Sequence, residues 1–123
     1  MTLHVDHRGS LFACELSDLP FDVVRIYTIS FRNKGVVRGK HAHKKLSQRV
    51  ICVQGSIRIE IQTLKKKQAS SILGVGDFVD IAPYSWRELE ALADSSVALV
   101  LCDQRYDPDD YILSIEDFLN VEL

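Results

Sequence analysis

The chain has 123 residues, 46% hydrophobic and 26% charged, which are the proportions of an ordinary globular domain at a length for only one. Fifteen Lys and Arg against seventeen Asp and Glu leave a net charge of -2, so the strongly basic footprint of a duplex nucleic-acid binder is excluded. No apolar run approaches the roughly 18 residues of a membrane helix, and neither nucleic acid nor membrane is expected as a partner. The start, MTLHVDHRGS, lacks the basic and apolar regions of a signal peptide, so a cytoplasmic protein is expected. Three widely spaced cysteines, Cys14, Cys52 and Cys102, agree with reduced thiols. Cys52 and Cys102 lie in apolar runs and read as core residues.

Strand signals dominate the chain in order. Residues 23–31 (VVRIYTISF) and 49–53 (RVICV) are rich in β-branched and aromatic side chains. Gln54-Gly55 reads as a turn, after which residues 56–63 (SIRIEIQT) alternate. Ile57, Ile59 and Ile61 face one way, and Arg58, Glu60 and Gln62 the other. This pattern predicts a half-buried strand forming a hairpin with the strand before it. Lys65-Lys66-Lys67 reads as a solvated hairpin tip. Four more short strands are expected at residues 70–73, 78–81, 86–92 and 96–102, punctuated by Gly74, Gly76, Pro83 and Asp94-Ser95. One short helix is expected at residues 115–119. Many short strands at about ten-residue spacing imply an all-β sandwich or barrel in a single domain, 1–123. Inward-pointing polar residues at one mouth would form its site.

The chemistry concentrates in residues 35–55. On a strand, His41 and His43 are two apart and project from the same face. The spacing of Gly35, His41, His43, Gln48 and Gly55 resembles the first signature of the cupin superfamily, in which a Glu stands where Gln48 does. The resemblance implies a jelly-roll barrel. A second, weaker signature is carried by Gly76 and Pro83, with Trp86-Arg87 where another histidine is usual. Metal-binding cupins use three His and a Glu. An amide at Gln48 and a cation at Arg87 do not make such a set, so no metal and no cofactor are expected.

The flanking residues sharpen the resemblance. Arg38-Gly39-Lys40-His41-Ala42-His43-Lys44 is similar to the RGxHAHK element of the metal-independent cupins that act as dTDP-4-dehydro-6-deoxyglucose 3,4-ketoisomerases (WxcM-like). Further pieces of this family's pattern follow in order: Asp6 to Leu11, Pro20-Phe21 with Arg25-Ile26-Tyr27, Leu46-Ser47-Gln48, Gln54-Gly55-Ser56, and Tyr106 to Ile112 with Phe118. The likeness spans Asp6 to Phe118. One departure is Trp86-Arg87, where the family commonly has Trp-His, which leaves open the substrate, the configuration at C4 and turnover itself.

The resemblance implies that His41 is the base acting at C3 of a nucleotide-linked 4-keto-6-deoxyhexose. It gives His43 the role of binding a sugar oxygen or orienting His41, and Tyr27 that of proton shuttle at C4. Arg25 and Arg38 are candidates for pyrophosphate or enolate contacts, Arg8 for reaching the sugar, Trp86 for stacking on a ring, and Arg87 for an anion. A neutral histidine near its ordinary pKa suits proton abstraction without metal. Alternatives are a catalytically silent cupin that binds a sugar nucleotide or small anion, a metal-dependent cupin enzyme, and a sugar 3,5-epimerase. The resemblance also implies a homodimer, since related cupins pair through swapped or augmented strands.

Overall fold

The computed structural model describes residues 1–122. Its strands are β1 (Thr2–Asp6), β2 (Gly9–Ala13), β3 (Arg25–Ser30), β4 (Val37–His43), β5 (Gln48–Gln54), β6 (Ile57–Thr63), β7 (Gln68–Leu73), β8 (Phe78–Ile81), β9 (Ser85–Ala91), β10 (Val97–Cys102) and β11 (Tyr111–Ile112). One helix, α1 (Ile115–Leu119), follows them. All pairings are antiparallel, in a four-stranded sheet β3-β10-β5-β8 facing a five-stranded sheet β11-β4-β9-β6-β7. The two sheets make an open, two-layered jelly roll rather than a closed barrel.

Alternation in the sequence explains the layering. Ile57 and Ile59 point between the sheets and are buried with Val50, Cys52, Leu89, Ala98, Val100 and Cys102 in the main core. Arg58 and Glu60 turn outward, where Arg58 Nη1 meets Glu90 Oε1 at 3.0 Å. The hairpin expected between residues 49–53 and 56–63 does not form. β5 pairs with β10 and β8, whereas β6 pairs with β9 and β7. Gln54-Gly55 instead carries the chain from one sheet to the other. Gly55 has φ +75°, and a Cβ there would lie 2.9 Å from Ser96 Cα, so no larger residue fits this crossing. A turn dipeptide reverses the chain but does not say which strand it will meet.

Two elements were not foreseen. β1 and β2 form a separate two-stranded hairpin whose Phe12 and Cys14 rest on Ile51 and Leu101 at the outer face of the four-stranded sheet. The short β11 adds to the edge of β4, pairing Tyr111 with His43 and Ile112 with Ala42. Part of the outer face of the five-stranded sheet is covered by α1, where Phe118 packs against Trp86, Ala42 and Ile112. Ser114 caps this helix by accepting from the Asp117 N–H at 3.3 Å. Five residues are too few to hold a helix alone, so this packing sustains it.

Candidate active site

A single extra residue in β4 builds the site. β4 pairs with β9 as Arg38 with Leu89 and then His41 with Arg87, so three steps on β4 oppose two on β9. This bulge falls at Gly39, which has φ +74° and whose Cβ would come within 3.2 Å of Leu89 Cδ1. Without it, regular pairing would put His41 opposite Trp86, whose side chain points to the other face. With it, His41 and Arg87 share the inner face.

Arg87 is 1% exposed. Its Nη2 and Nε lie 2.8 and 3.2 Å from His41 Nε2. A guanidinium has no lone pair to offer, so His41 Nε2 accepts and its proton resides on Nδ1. His43 Nε2 lies 3.1 Å from the same nitrogen, and the two rings meet edge to face. Burial lowers the His41 pKa to about 3, with the charges of Arg87 and His43 acting in the same direction. Burial also lowers His43, to about 4, with Arg87 assisting and Asp110 opposing. Both rings are therefore neutral at pH 7, and well below the ordinary value expected for His41 from sequence.

β3 faces this pair across the interior. Gln48 Nε2 donates to Tyr27 Oη at 2.8 Å, which leaves the Tyr27 hydroxyl proton free to donate elsewhere. The Arg25 guanidinium lies 4.8 Å from the Tyr27 ring centre and 5.3 Å from that of Tyr106. From β11 and the turn before it come two residues absent from the sequence-based site. Tyr111 has its ring centre 4.4 Å from that of His43, and Asp110 Oδ2 lies 3.3 Å from His43 Nδ1. Burial raises the Tyr111 pKa, keeping its phenol protonated.

Among the described residues, four buried side-chain polar atoms lack a partner, and three of them are His43 Nδ1, Gln48 Oε1 and Arg87 Nη1. Buried polar atoms are nearly always paired. His43 Nδ1 faces Asp110 Oδ2 at 3.3 Å, outside hydrogen-bond geometry, and the other two orphans beside the histidine pair mark a place for a polar ligand. The donor set does not suit a metal. Arg87 holds the His41 lone pair, and no cluster of three or more His, Cys, Asp or Glu among the described residues has metal-holding geometry. Cys52 and Cys102 are buried, and burial raises both thiol pKa values, which makes them poor nucleophiles.

Residues 1–122 match the family model described as FdtA: WxcM-like, C-terminal. The chain belongs to this family. A relative within reach is TDP-4-oxo-6-deoxy-alpha-D-glucose-3,4-oxoisomerase of Aneurinibacillus thermoaerophilus, 35% identical over 116 residues that cover 93% of this chain and 83% of the relative. The solved structure of QdtA, a sugar 3,4-ketoisomerase from Thermoanaerobacterium thermosaccharolyticum in complex with TDP, superposes with a TM-score of 0.85 at 33% identity, covering 97% of this chain and 88% of that one. The WlaRB TDP-quinovose 3,4-ketoisomerase from Campylobacter jejuni gives 0.83 at 33% identity, over 98% and 93% of the two chains.

Within this WxcM-like architecture the residues picked from sequence separate into two groups. His41, His43, Tyr27, Arg25 and Arg87 converge as described. Arg38 stands at the open edge of the interior, exposed, with Nη1 3.4 Å from the Ser30 carbonyl oxygen. Arg8 sits at the tip of the β1–β2 hairpin, where its exposed guanidinium pairs with Asp6 at 2.7 Å. Within one chain it is not brought to the histidines. Trp86 is a correction: it lies under α1 with its ring centre 6.1 Å from that of Phe118, on the face opposite Arg87. Adjacent residues on a strand face opposite sides, so Trp86 and Arg87 cannot both line the interior. From sequence Gln48 is an amide where metal-binding cupins have Glu and the end of the Leu46-Ser47-Gln48 element, and its service to Tyr27 needed the rest of the fold. For Asp110 and Tyr111 the only signal was their place in the run from Tyr106 to Ile112.

Proposed function

We propose that the chain is a sugar-nucleotide 3,4-ketoisomerase, moving the carbonyl of a dTDP-4-keto-6-deoxyhexose from C4 to C3 through an enediol in deoxysugar biosynthesis. The observation that carries this reading is the convergence of two neutral imidazoles, a buried guanidinium and a phenol with a free proton on one interior. That is the equipment of proton transfer along two neighbouring carbons, and it contains nothing that requires a redox group.

The ketone at C4 acidifies the C3 hydrogen. As substrate enters, its oxygens take over the N–H groups of Arg87, which frees His41 Nε2 to accept the C3 proton. The electron pair passes into the C3–C4 bond and onto O4, and Arg87 stabilises the enediolate. Tyr27 then delivers a proton to C4, O4 gains one, and the C3 hydroxyl loses its own as the new carbonyl forms. Two protons leave the substrate, two return, and its electron count is unchanged. His43 passes protons between His41 and the rest of the site. Arg25 and Arg38 take the diphosphate, for which a guanidinium fork is suited.

The protein acts in the cytoplasm as a homodimer. Supporting the dimer, the β1–β2 hairpin bonds to neither sheet and exposes Val5 and Leu11, an apolar surface suited to a second copy. In the dimer, Arg8 at the hairpin tip reaches a sugar nucleotide in a neighbouring site.

The test is incubation with dTDP-4-keto-6-deoxyglucose in deuterated buffer, followed by product analysis. Deuterium at C4 of a 3-keto product is expected. Tight TDP binding without exchange would replace the isomerase by a silent binder, the reading that the Arg87 grip on His41 favours. Exchange at C5 would indicate an epimerase.

A further inference from the structure

We infer that Asp110 is a positioning residue of this reaction: its carboxylate sets the tautomer of His43 and balances the imidazolium that forms there during turnover. The inference rests on the ketoisomerase reading above and extends it to a residue outside the strands of the two sheets.

The groups facing His43 come from five places. They are His41 of its own strand, Arg87 of β9, Arg25 of β3, Tyr111 of β11, and Asp110 of the turn before β11. Two are fixed cations, and among the described residues Asp110 is the one carboxylate in contact with the ring. An imidazole between two guanidiniums accepts a proton only if an anion is at hand. Asp110 is 8% exposed and tied to three successive backbone donors. Its Oδ1 accepts the Lys45 N–H at 2.8 Å, its Oδ2 accepts the Leu46 N–H at 3.3 Å, and its carbonyl accepts the Lys44 N–H at 3.0 Å. These three donors are the loop that leaves β4 directly after His43, so carboxylate and imidazole are held by the same short segment.

With the neutral ring's proton on Nδ1, facing Asp110, the Nε2 lone pairs of His43 and His41 face each other at 3.1 Å, and this contact becomes a hydrogen bond only when one of them takes up a proton. When His41 takes the C3 proton on Nε2, breaking that C–H bond, the proton crosses 3.1 Å to His43 Nε2. Charge then rests on His43 beside Asp110 rather than on His41 beside Arg87. Return of the proton to the substrate restores both neutral rings.

The experiment is Asp110→Asn, with Asp110→Glu as the conservative partner. In the asparagine variant the retained oxygen still serves the Lys45 N–H, while the amide nitrogen points at His43 and donates into Nδ1, which forces the opposite tautomer. At pH 7.5, nitrogen-15 NMR of the imidazoles is expected to show His43 protonated on Nδ1 in the wild type and on Nε2 in Asp110→Asn. The kcat is expected to fall about 100-fold or more with KM and TDP affinity within about threefold, and Asp110→Glu recovers part of the loss. An Nε2 proton in the wild type, or an unchanged tautomer in Asp110→Asn, overturns the inference. So does a kcat within threefold of wild type, or a loss confined to KM and TDP binding. If the wild type fails to convert the keto sugar, the ketoisomerase reading falls, and the NMR comparison still decides the role of Asp110 toward His43.

Discussion

Acidification from pH 7.5 to pH 5.0 is expected to cost the fold about 3 kcal/mol through His41 and His43. Their pKa values lie at about 3 and about 4 in the folded chain and return to the ordinary 6.5 on unfolding. A base whose folded pKa is depressed leaves the unfolded chain holding more protons at every pH below the unfolded value. Stability is therefore complete above 6.5 and declines as pH falls through 6.5 toward the folded values. At pH 5 a fully buried ring of this kind accounts for about 2 kcal/mol. Because pH 5 is above both folded values, this figure depends little on how far each is depressed. His43, with its side chain 5% exposed, contributes that amount. His41 is only half-buried, and solvent screening reduces its share to roughly 1 kcal/mol. Urea unfolding at fixed protein concentration measures the difference, since dimerisation would otherwise mix into it. A His41→Asn, His43→Gln double variant should lose most of the pH dependence. A wild-type free energy that is flat to within about 0.5 kcal/mol over this range, or an equal slope in the double variant, would refute the argument.

Three further outcomes are expected. His41→Asn should fold, since its side-chain oxygen can accept from Arg87, and turnover should fall by about 100-fold to 10,000-fold. Steady-state assay beside circular dichroism checks both points, and near-normal rates would remove His41 as the base. Gly39→Ala places a Cβ at φ +74° and 3.2 Å from Leu89 Cδ1, so it should cost about 1–3 kcal/mol in thermal unfolding. It should also lower kcat by displacing His41 from Arg87, and a melting curve matching wild type would show that the bulge does not need glycine. Exhaustive treatment with a divalent-metal chelator should leave turnover unchanged, because Arg87 already occupies the His41 lone pair. Loss of activity restored by one particular metal would contradict this.

Sequence by itself determined the strand-rich class, because alternation of apolar and polar residues is a local property of pleated backbone. The positions of β8 and α1 matched their sequence reading end to end, and Ile57 and Ile59 faced inward as their spacing required. It also placed His41 and His43 on one face, since two residues apart on a strand can do nothing else. Tertiary structure alone decided who meets whom. Gln54-Gly55 is a turn in either reading, but whether it makes a hairpin or crosses between sheets depends on Ser96, which packs on Gly55 and accepts from Ser56 N–H, 40 residues before it. The bulge at Gly39 decided that Arg87 rather than Trp86 faces His41. Non-local pairing brought Gln48 to Tyr27 and Asp110 to His43, from 21 residues away along the chain in the first case. No local pattern encodes such contacts, because they arise from the burial of two sheets against each other. The depressed basicity of the histidines follows from the same burial: the sequence names the imidazoles, and the fold sets how readily each takes a proton.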